Sequence, residues 1–222
     1  MKDVGAPVTA ESLLGAYMQG VFPMAETRDD PDLFWVEPRW RGVLPLDRFR
    51  LSRSTIKQMR RATRTGSVTT SLDLDFEGVL AGCAARDETW ISGRLIDLYR
   101  QLFAAGFAHS QEVWRGDRMI GGVYGVAIGG AFFGESMFSS ETGGSKIALA
   151  VLVHRLRRAG YALFDTQFVT SHLLSLGAEE IRQDDYRRRL GAALALRPDR
   201  LGPEPSLEEV LQDMVQRRTQ TS

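Results

Sequence analysis

The sequence predicts a mixed α/β (α+β) fold in which helices pack on a sheet rich in antiparallel strands. Its 222 residues are 43% apolar, which is enough to bury a sizeable core. The second half reads as a helix, three successive strands, a helix, a strand and a helix. Turn-like segments join the three strands, and such short connections are typical of hairpins in an antiparallel sheet.

The N-terminal part begins with a short helix pattern and continues with extended segments. Residues 11–20 (ESLLGAYMQG) predict a helix, whereas residues 21–46 contain the extended segments VFPM and FWVEPRWRGVLPL. Residues 50–64 predict a second helix. SVTTSLDLDF at 67–76 starts as an alternating, β-branched strand, and the following EGVLAGCAAR predicts a helix that carries Cys83.

The second half has the more regular patterns. Residues 90–107 predict a helix, and SQEVWR, MIGGVYGVAI and AFFGESMF predict the three strands. A helix over 145–159 should follow, with Ser145 as its N-cap and Gly160 as its stop. The remaining patterns, in chain order, are the strand YALFDTQ, the helix HLLSLG, the short segment EEIR, and helices in DYRRRLGAAL and SLEEVLQDMVQRR.

We divide the chain at two changes of pattern. A small N-terminal domain should cover residues 1–68 and a larger domain residues 69–197. The polar, Pro- and Gly-containing residues 198–222 should form a tail with one amphipathic helix.

Composition restricts the class of protein. The first residues lack a signal-peptide pattern and no stretch has the 18 or so uncharged apolar residues of a membrane span, so we expect a cytoplasmic protein without a membrane partner. Cys83 is the single cysteine, which excludes an internal disulfide and fits a reducing compartment. The three histidines stand far apart, so we expect no metal site.

Two glycine-rich segments resemble nucleotide-binding loops but have the wrong spacing. In Gly143-Gly144-Ser145-Lys146 the serine precedes the lysine, whereas a Walker loop needs Gly before Lys and Ser or Thr after it. GGVYGVAIGG does not match GxGxxG and lies in a hairpin pattern. Both segments therefore predict turns or close backbone approaches.

Charge is balanced over the whole chain but concentrated locally. There are 28 basic and 28 acidic residues, yet residues 48–64 contain seven basic residues and no acidic one. These are Arg48, Arg50, Arg53, Lys57, Arg60, Arg61 and Arg64. The segment is either a solvated helix face or a surface that contacts the phosphates of a nucleic acid, and the sequence favours neither.

Three polar residues interrupt apolar strand patterns. Asp165 and Gln167 lie two apart at the end of a buried-looking strand, and Glu135 lies within AFFGESMF. Because buried polar groups are costly unless paired, Asp165 and Gln167 should bond each other or face a cleft. All three are candidates for a functional site.

Five segments together resemble the leucyl/phenylalanyl-tRNA-protein transferase family. They are LLGAYMQGVFPM, WISGRLIDLYRQLFAAGFAHSQEVW, IGGVYGVAIGGAFFGESMFSSETGGSKIAL, FDTQ and HLLSLGAEEI, and the resemblance covers about residues 11–190. It implies a GNAT-like, acetyltransferase-type catalytic domain behind the small N-terminal domain. It also implies transfer of Leu or Phe, and Met less readily, from aminoacyl-tRNA to proteins with N-terminal Arg or Lys, which marks them for N-degron degradation.

The resemblance also implies roles for individual residues. Asp165 and Gln167 would form the catalytic pair, with Asp165 orienting Gln167, and Glu135 would lie beside the aminoacyl-adenosine. Further positions implied to bind the donor are the pocket residues Val123, Phe132, Leu156 and Phe164 and the adenosine-stacking residues Trp35 and Trp90. The basic residues of 48–64 would contact the acceptor stem. The implied enzyme needs no cofactor, and we expect it to act as a monomer.

The chain departs from the family pattern at three places. FWVEPRW replaces a WWSPxPR-like stretch, GGSK replaces Asn/Asp-Ala-Ser-Lys, and Arg182-Gln183 replaces Pro-Arg. The subsite for the acceptor's cationic side chain is not identified, and Glu135 and the Asp184-Asp185 pair are candidates. The alternative functions are an acyl-CoA-dependent N-acyltransferase, a peptidoglycan-type aminoacyl transferase and a non-catalytic RNA-binding adaptor.

Overall fold

The computed structural model describes residues 8–28, 30, 32–85 and 91–220. In chain order, the helices are α1 Ala10–Met18, α2 Arg53–Thr65, α3 Phe76–Ala84, α4 Gly93–Ala104, α5 Gly144–Ala159, α6 Ser171–Leu176, α7 Gln183–Leu194 and α8 Leu207–Gln220. The strands are β1 Phe22–Met24, β2 Phe34–Val36, β3 Trp40–Val43, β4 Thr69–Leu72, β5 Ala108–Arg115, β6 Arg118–Ile128, β7 Ala131–Ser139, β8 Leu163–Gln167 and β9 Glu179–Arg182. The predicted mixture of helices and strands is confirmed. None of the helices within the described ranges is both long and apolar enough to span a membrane.

A seven-stranded sheet forms the centre of the molecule, with the strand order β4-β5-β6-β7-β8-β3-β9. Strands β4 to β7 pair antiparallel, which confirms the predicted hairpins of β5, β6 and β7. Helix α5 connects β7 to β8, and these two strands pair parallel. Strands β1 and β2 form a separate antiparallel pair.

Helices cover both faces of this sheet, because apolar side chains from both faces need burial. On one face, α2, α5 and α8 pack on side chains such as Val123, Phe132 and Phe164. On the other face, α1, α3, α4 and α7 pack on side chains such as Tyr124 and Phe133. Alternation along each strand sends successive residues to opposite cores.

Strand β3 brings the N-terminal part of the chain into the main sheet. Gly42 lies opposite Gln167 and Val43 opposite Asp165, so β3 lies directly beside the strand that carries the expected catalytic pair. The division at residue 68 stays a prediction, but the residues before it are part of the sheet that builds the site.

The start of α5 differs from the prediction that Ser145 is its N-cap. The helix begins at Gly144, and Gly143 caps it in a left-handed conformation with φ 88°. Ser145 lies inside the first turn, where Ser139 Oγ accepts its backbone N–H at 2.7 Å. The prediction was wrong because backbone proximity governs this turn: a Cβ on Gly144 would lie 2.1 Å from the carbonyl oxygen of Ile120.

Candidate active site

The candidate site lies where β7 and β8 stop pairing. The parallel register runs over three pairs and ends at Phe133 and Asp165. Glu135 and Gln167 lie just beyond this last pair, and Gln167 Nε2 donates to Glu135 Oε1 at 3.0 Å across the gap. The carboxyl ends of neighbouring parallel strands are a common place for ligand binding in α/β sheets.

Asp165 is fully buried and its carboxylate is occupied by protein groups. Arg41 donates to it through Nε at 2.9 Å and through Nη2 at 2.6 Å. Tyr186 donates its hydroxyl at 2.5 Å, and Oδ1 also accepts the backbone N–H of Gln167 at 2.7 Å. A buried carboxylate with a bidentate arginine and two further donors is satisfied as an anion.

Arg41 is only 1% exposed, and protein groups contact its guanidinium from several sides. Its Nη1 donates to the carbonyl oxygen of Gly20 at 2.8 Å. The rings of Phe22 and Tyr186 each have their centroid 4.5 Å from its guanidinium carbon, a distance that allows cation–π attraction. Strand β3, the end of α1 and helix α7 therefore meet at the Arg41–Asp165 pair.

Gln167 has an unusual backbone conformation for a residue with a side chain. Its φ is 63°, in the left-handed region that favours glycine. The bond from its N–H to Asp165 Oδ1 helps to hold this conformation. Asp165 therefore orients Gln167 through the backbone, whereas Glu135 orients the Gln167 side chain.

Glu135 is 7% exposed and is surrounded by hydroxyl and amide donors. Tyr17 donates to Oε1 at 2.8 Å, and Tyr99 lies 2.6 Å from Oε2. Burial raises the pKa of Glu135 to about 7, although the hydrogen bonds from Tyr99, Tyr17 and Gln167 act to lower it. Burial also raises the pKa of both tyrosines well above the usual 10, so they stay neutral.

The four expected pocket residues lie on the same face of the sheet. Val123, Phe132, Leu156 and Phe164 share one apolar cluster and are at most 3% exposed. The rings of Phe132 and Phe164 make an edge contact with centroids 5.3 Å apart. This cluster lies on the α5 face of the sheet, whereas Tyr17 and Tyr99 belong to the opposite core.

Gly134 stands between this cluster and Glu135. A Cβ at this position would lie 2.5 Å from the ring of Phe164, so only glycine fits without displacing that ring. The next residue carries the site carboxyl group. The GES segment therefore combines a close approach to the pocket cluster with a polar side chain on the other face.

Two tryptophans, Trp35 and Trp90, are expected near the adenosine. Trp35 lies in β2 opposite Pro23 and packs, partly buried, against the core that contains Tyr17. Trp90 lies outside the described residues. Their roles in stacking stay predictions.

The basic segment forms an exposed surface centred on α2. Thr55, Ile56, Met59 and Ala62 bury one side of this helix, which leaves the cations on the other side. Its exposed cations are Arg53, Lys57, Arg60, Arg61 and Arg64, and Arg48 and Arg50 are exposed in the segment before it. Within the described part of the chain, Arg48 is the member that forms an ion pair, with Glu179 at 2.8 Å.

Sequence reasoning did not identify four residues that complete the site. They are Arg41, Tyr17, Tyr99 and Tyr186. Arg41 lies in the segment FWVEPRWRGVLPL among other arginines, and nothing in its neighbours marks it as buried. Once Asp165 is expected to be buried, however, the need for a cationic partner is a usable signal.

Comparison with protein families finds two matches along the chain. Residues 43–191 match the family described as leucyl/phenylalanyl-tRNA protein transferase, and residues 7–39 match the N-terminal domain of the same family. A leucyl/phenylalanyl-tRNA–protein transferase of Ruegeria sp. (strain TM1040) is 56% identical over 97% of this chain and 99% of its own length. One of Dinoroseobacter shibae is 57% identical over 86% of this chain and 84% of its own length.

Solved structures give only a distant likeness. The C-terminal domain of a putative lysylphosphatidylglycerol synthetase from Agrobacterium fabrum is 13% identical, with a TM-score of 0.39, and the match covers 85% of this chain and 60% of that one. A likeness at this level says nothing of the site. The two family matches and the relatives above 50% identity nevertheless show that the chain belongs to the leucyl/phenylalanyl-tRNA protein transferase family.

Proposed function

We propose that this chain moves Leu or Phe, and Met less readily, from an aminoacyl-tRNA to the α-amino group of an acceptor protein. The observation that carries the proposal is the position of Gln167. Its backbone is fixed by Asp165 and its side-chain NH2 group by Glu135. Because Nε2 is committed to a carboxyl oxygen, Oε1 is the atom left to accept a hydrogen bond from an incoming amine.

The reaction needs alignment more than activation, because the donor is already an ester. The acceptor nitrogen attacks the ester carbonyl carbon, and the bond from that carbon to the ribose oxygen breaks. The nitrogen loses a proton and the ribose oxygen gains one. Gln167 Oε1 would hold the amine N–H and direct the nitrogen lone pair towards the ester, a positioning effect that accounts for much of the rate of such reactions.

Asp165 would act as a positioning residue. It is buried, and Arg41 and Tyr186 occupy its carboxylate oxygens. Its contribution is to hold the Gln167 backbone in the left-handed conformation that points the side chain at Glu135. Arg41 contributes in turn by holding the Asp165 carboxylate in place through its bidentate contact.

The donor's side chain would enter the apolar cluster of Val123, Phe132, Leu156 and Phe164. The close approach of Gly134 to the ring of Phe164 supports this placement, because it brings the residue next to Glu135 into contact with the cluster. One methylene in such a pocket distinguishes ligands by about 1 to 3 kcal/mol, so discrimination among Leu, Phe and Met should be modest. The antiparallel meander followed by a helix and a parallel strand supports a GNAT-like form of this fold.

The acceptor stem of the tRNA would lie along the exposed cations of α2, with Trp35 and Trp90 near the terminal adenosine. Arg53, Lys57, Arg60, Arg61 and Arg64 lie on one exposed side of the helix, as contacts to a phosphate backbone require. The segment's Arg48 and Arg50 would extend this surface.

The acceptor would carry N-terminal Arg or Lys, so that the transfer marks it for N-degron degradation in the cytoplasm by a monomeric enzyme. Of the acidic candidates for its side chain, Asp184 is the better placed. It is exposed in the first turn of α7, two residues before the Tyr186 that contacts Asp165. Glu135, by contrast, is buried among hydroxyl groups.

A transfer assay with exchanged substrates tests the proposal. With Leu-tRNA or Phe-tRNA as donor, a peptide that begins with Arg or Lys should be labelled, and one that begins with Ala should not. Acetyl-CoA offered instead of the charged tRNA should give no product. Transfer from acetyl-CoA would favour the acyl-CoA-dependent alternative, and tRNA binding without transfer would favour the non-catalytic adaptor.

A further inference from the structure

The carboxyl group of Glu135 and two tyrosine hydroxyls form a closed set of short contacts. Tyr17 Oη lies 2.8 Å from Glu135 Oε1, and Tyr99 Oη lies 2.6 Å from Oε2. The two hydroxyl oxygens lie 3.0 Å from each other. The carboxyl group and the two hydroxyls therefore form a ring with three oxygen–oxygen contacts, each within hydrogen-bond distance.

A count of protons decides the charge of this ring. Each contact needs one proton, and two neutral tyrosines supply only two. If Glu135 is ionised, both hydroxyls donate to it and their own 3.0 Å contact brings lone pairs together. If Glu135 carries a proton on Oε2, then Oε2 donates to Tyr99, Tyr99 to Tyr17 and Tyr17 to Oε1, and all three contacts are hydrogen bonds.

The fourth contact fits the same arrangement. Gln167 Nε2 donates to Glu135 Oε1 at 3.0 Å, and in the protonated ring Oε1 is the carbonyl oxygen, which has two lone pairs for Tyr17 and Gln167. Both hydroxyls and both oxygens of the Glu135 carboxyl group then have partners of the right kind. Such completeness matters in a buried site, because a missing partner there costs about 1 to 3 kcal/mol.

The surroundings also disfavour a negative charge on Glu135. The groups that face it from the described elements are Tyr17 on α1, Tyr99 on α4, Asp165 and Gln167 on β8, and Arg41 on β3, while Tyr124 on β6 packs against the ring of Tyr99. Asp165 adds a second negative charge, and Arg41, the nearby cation, is already paired with it. Burial acts in the same direction.

We propose that Tyr17, Tyr99 and Glu135 share three protons in a closed hydrogen-bonded ring, which favours the neutral form of Glu135 in the resting protein and makes the two tyrosines positioning residues for Gln167. The second part rests on the proposed function. An ionised carboxylate next to Gln167 would stabilise the acceptor as an ammonium ion, which cannot attack an ester. A neutral ring still orients the Gln167 amide but leaves the acceptor amine nucleophilic.

Infrared spectroscopy tests the neutral ring without any substrate. The wild-type protein at pH 6 should show the carbonyl stretch of a protonated carboxyl group that is missing from Glu135→Gln, and this band should disappear as the pH rises through the ionisation of Glu135. Absence of the band at pH 6 would show that Glu135 is ionised and would overturn the ring. Neither result depends on whether the protein transfers amino acids.

A double-variant cycle tests whether the contacts form one ring. Either Tyr17→Phe or Tyr99→Phe opens the same ring, so the loss of thermal stability in the double variant should be clearly less than the sum of the single losses. Additive losses would mean two independent bonds and would contradict the ring. Tyr161→Phe, a partly buried tyrosine outside the site, should leave the infrared band of Glu135 unchanged.

Transfer kinetics test whether the ring positions Gln167. Glu135→Gln can repeat the hydrogen bonds of the neutral acid, so it should retain about ten times the kcat of Glu135→Ala, a factor that corresponds to one restored buried hydrogen bond. Equal kcat values would contradict the positioning role while leaving the infrared result intact. A wild-type protein that transfers nothing would instead contradict the proposed function.

Discussion

Asp165 and Glu135 are two buried carboxyl groups that hold the same glutamine, yet their surroundings differ in kind. Asp165 faces a bidentate arginine, a tyrosine hydroxyl and a backbone N–H. Glu135 faces two tyrosine hydroxyls and an amide, and the described residues provide it with no cationic hydrogen-bond partner. One site therefore contains a carboxylate stabilised as an anion and a carboxyl group whose pKa is raised to about 7.

The difference teaches that partner chemistry, and not burial alone, decides the charge of a buried acid. Both groups are removed from water, but only Asp165 gains a compensating charge. Pairs of acids with opposed environments are a recurring way to give one site two protonation states. Here Asp165 fixes the backbone of Gln167, whereas Glu135 fixes its side chain.

Removal of Arg41 should have the largest effect on stability, because it leaves the buried carboxylate of Asp165 without its cationic partner. Arg41→Met should lower the free energy of unfolding by about 3 to 5 kcal/mol at pH 7, measured by denaturant titration. The double variant Arg41→Met/Asp165→Asn should recover part of this stability. If Arg41→Met alone unfolds no more easily than wild type, the ion pair does not have the role assigned to it.

Gln167 contacts both acids. Its replacement should separate the effect of the side-chain amide on kcat from the effect of the backbone conformation on stability. Gln167→Ala and Gln167→Gly both remove the amide, so each should lower kcat by about 100-fold or more. The glycine variant should be the more stable by roughly 1 kcal/mol, because glycine adopts a φ of 63° without strain. A more stable alanine variant would show that this conformation stores no strain.

The pH dependence of stability should distinguish the acids directly. The pKa of Glu135 is about 7 in the folded protein and near 4.5 when unfolded, so the folded state binds more protons between these values. Wild type should therefore lose on the order of 2 to 3 kcal/mol relative to Glu135→Gln as the pH rises from 4.5 to 7. Chemical denaturation at four or five pH values measures this difference, and a constant offset would mean that folding does not raise the pKa of Glu135.

Charge reversal on α2 should leave the two acids unaffected and change only the binding of tRNA. Arg60→Glu combined with Arg64→Glu should weaken binding and lower the slope of log K against log salt by roughly 1 per lost phosphate contact. Arg197→Glu, an exposed arginine outside the basic segment, serves as the matched control. An equal loss in both proteins would indicate that α2 is simply a solvated face.

The sequence was sufficient to predict the elements and the polar residues of the site, because periodicity and interrupted apolar strands are local signals. The β5–β6–β7 hairpins and the positions of Asp165, Gln167 and Glu135 follow from such signals. The partners of the two acids could not be predicted in the same way. Arg41 is 124 positions from Asp165, and Tyr17 is 118 positions from Glu135, so only the folded sheet brings them together.

The start of α5 also depends on a contact that the local sequence does not reveal. A serine after two glycines favours an N-cap, but the close approach of β6 to this turn requires Gly144 and moves the cap to Gly143. The constraint comes from Ile120, which is distant in sequence and leaves no trace in the local pattern.

Single-turnover transfer by Asp165→Asn measures whether Asp165 acts by holding Gln167. Leu-tRNA is incubated with excess enzyme and an Arg-initiated peptide, and the affinity of the same variant for tRNA is measured in parallel. Because Asp165 acts by holding Gln167, the transfer step should slow by about 100-fold or more while the Kd for tRNA changes less than about twofold. Transfer at the wild-type rate, or equal losses in transfer and binding, would contradict the account.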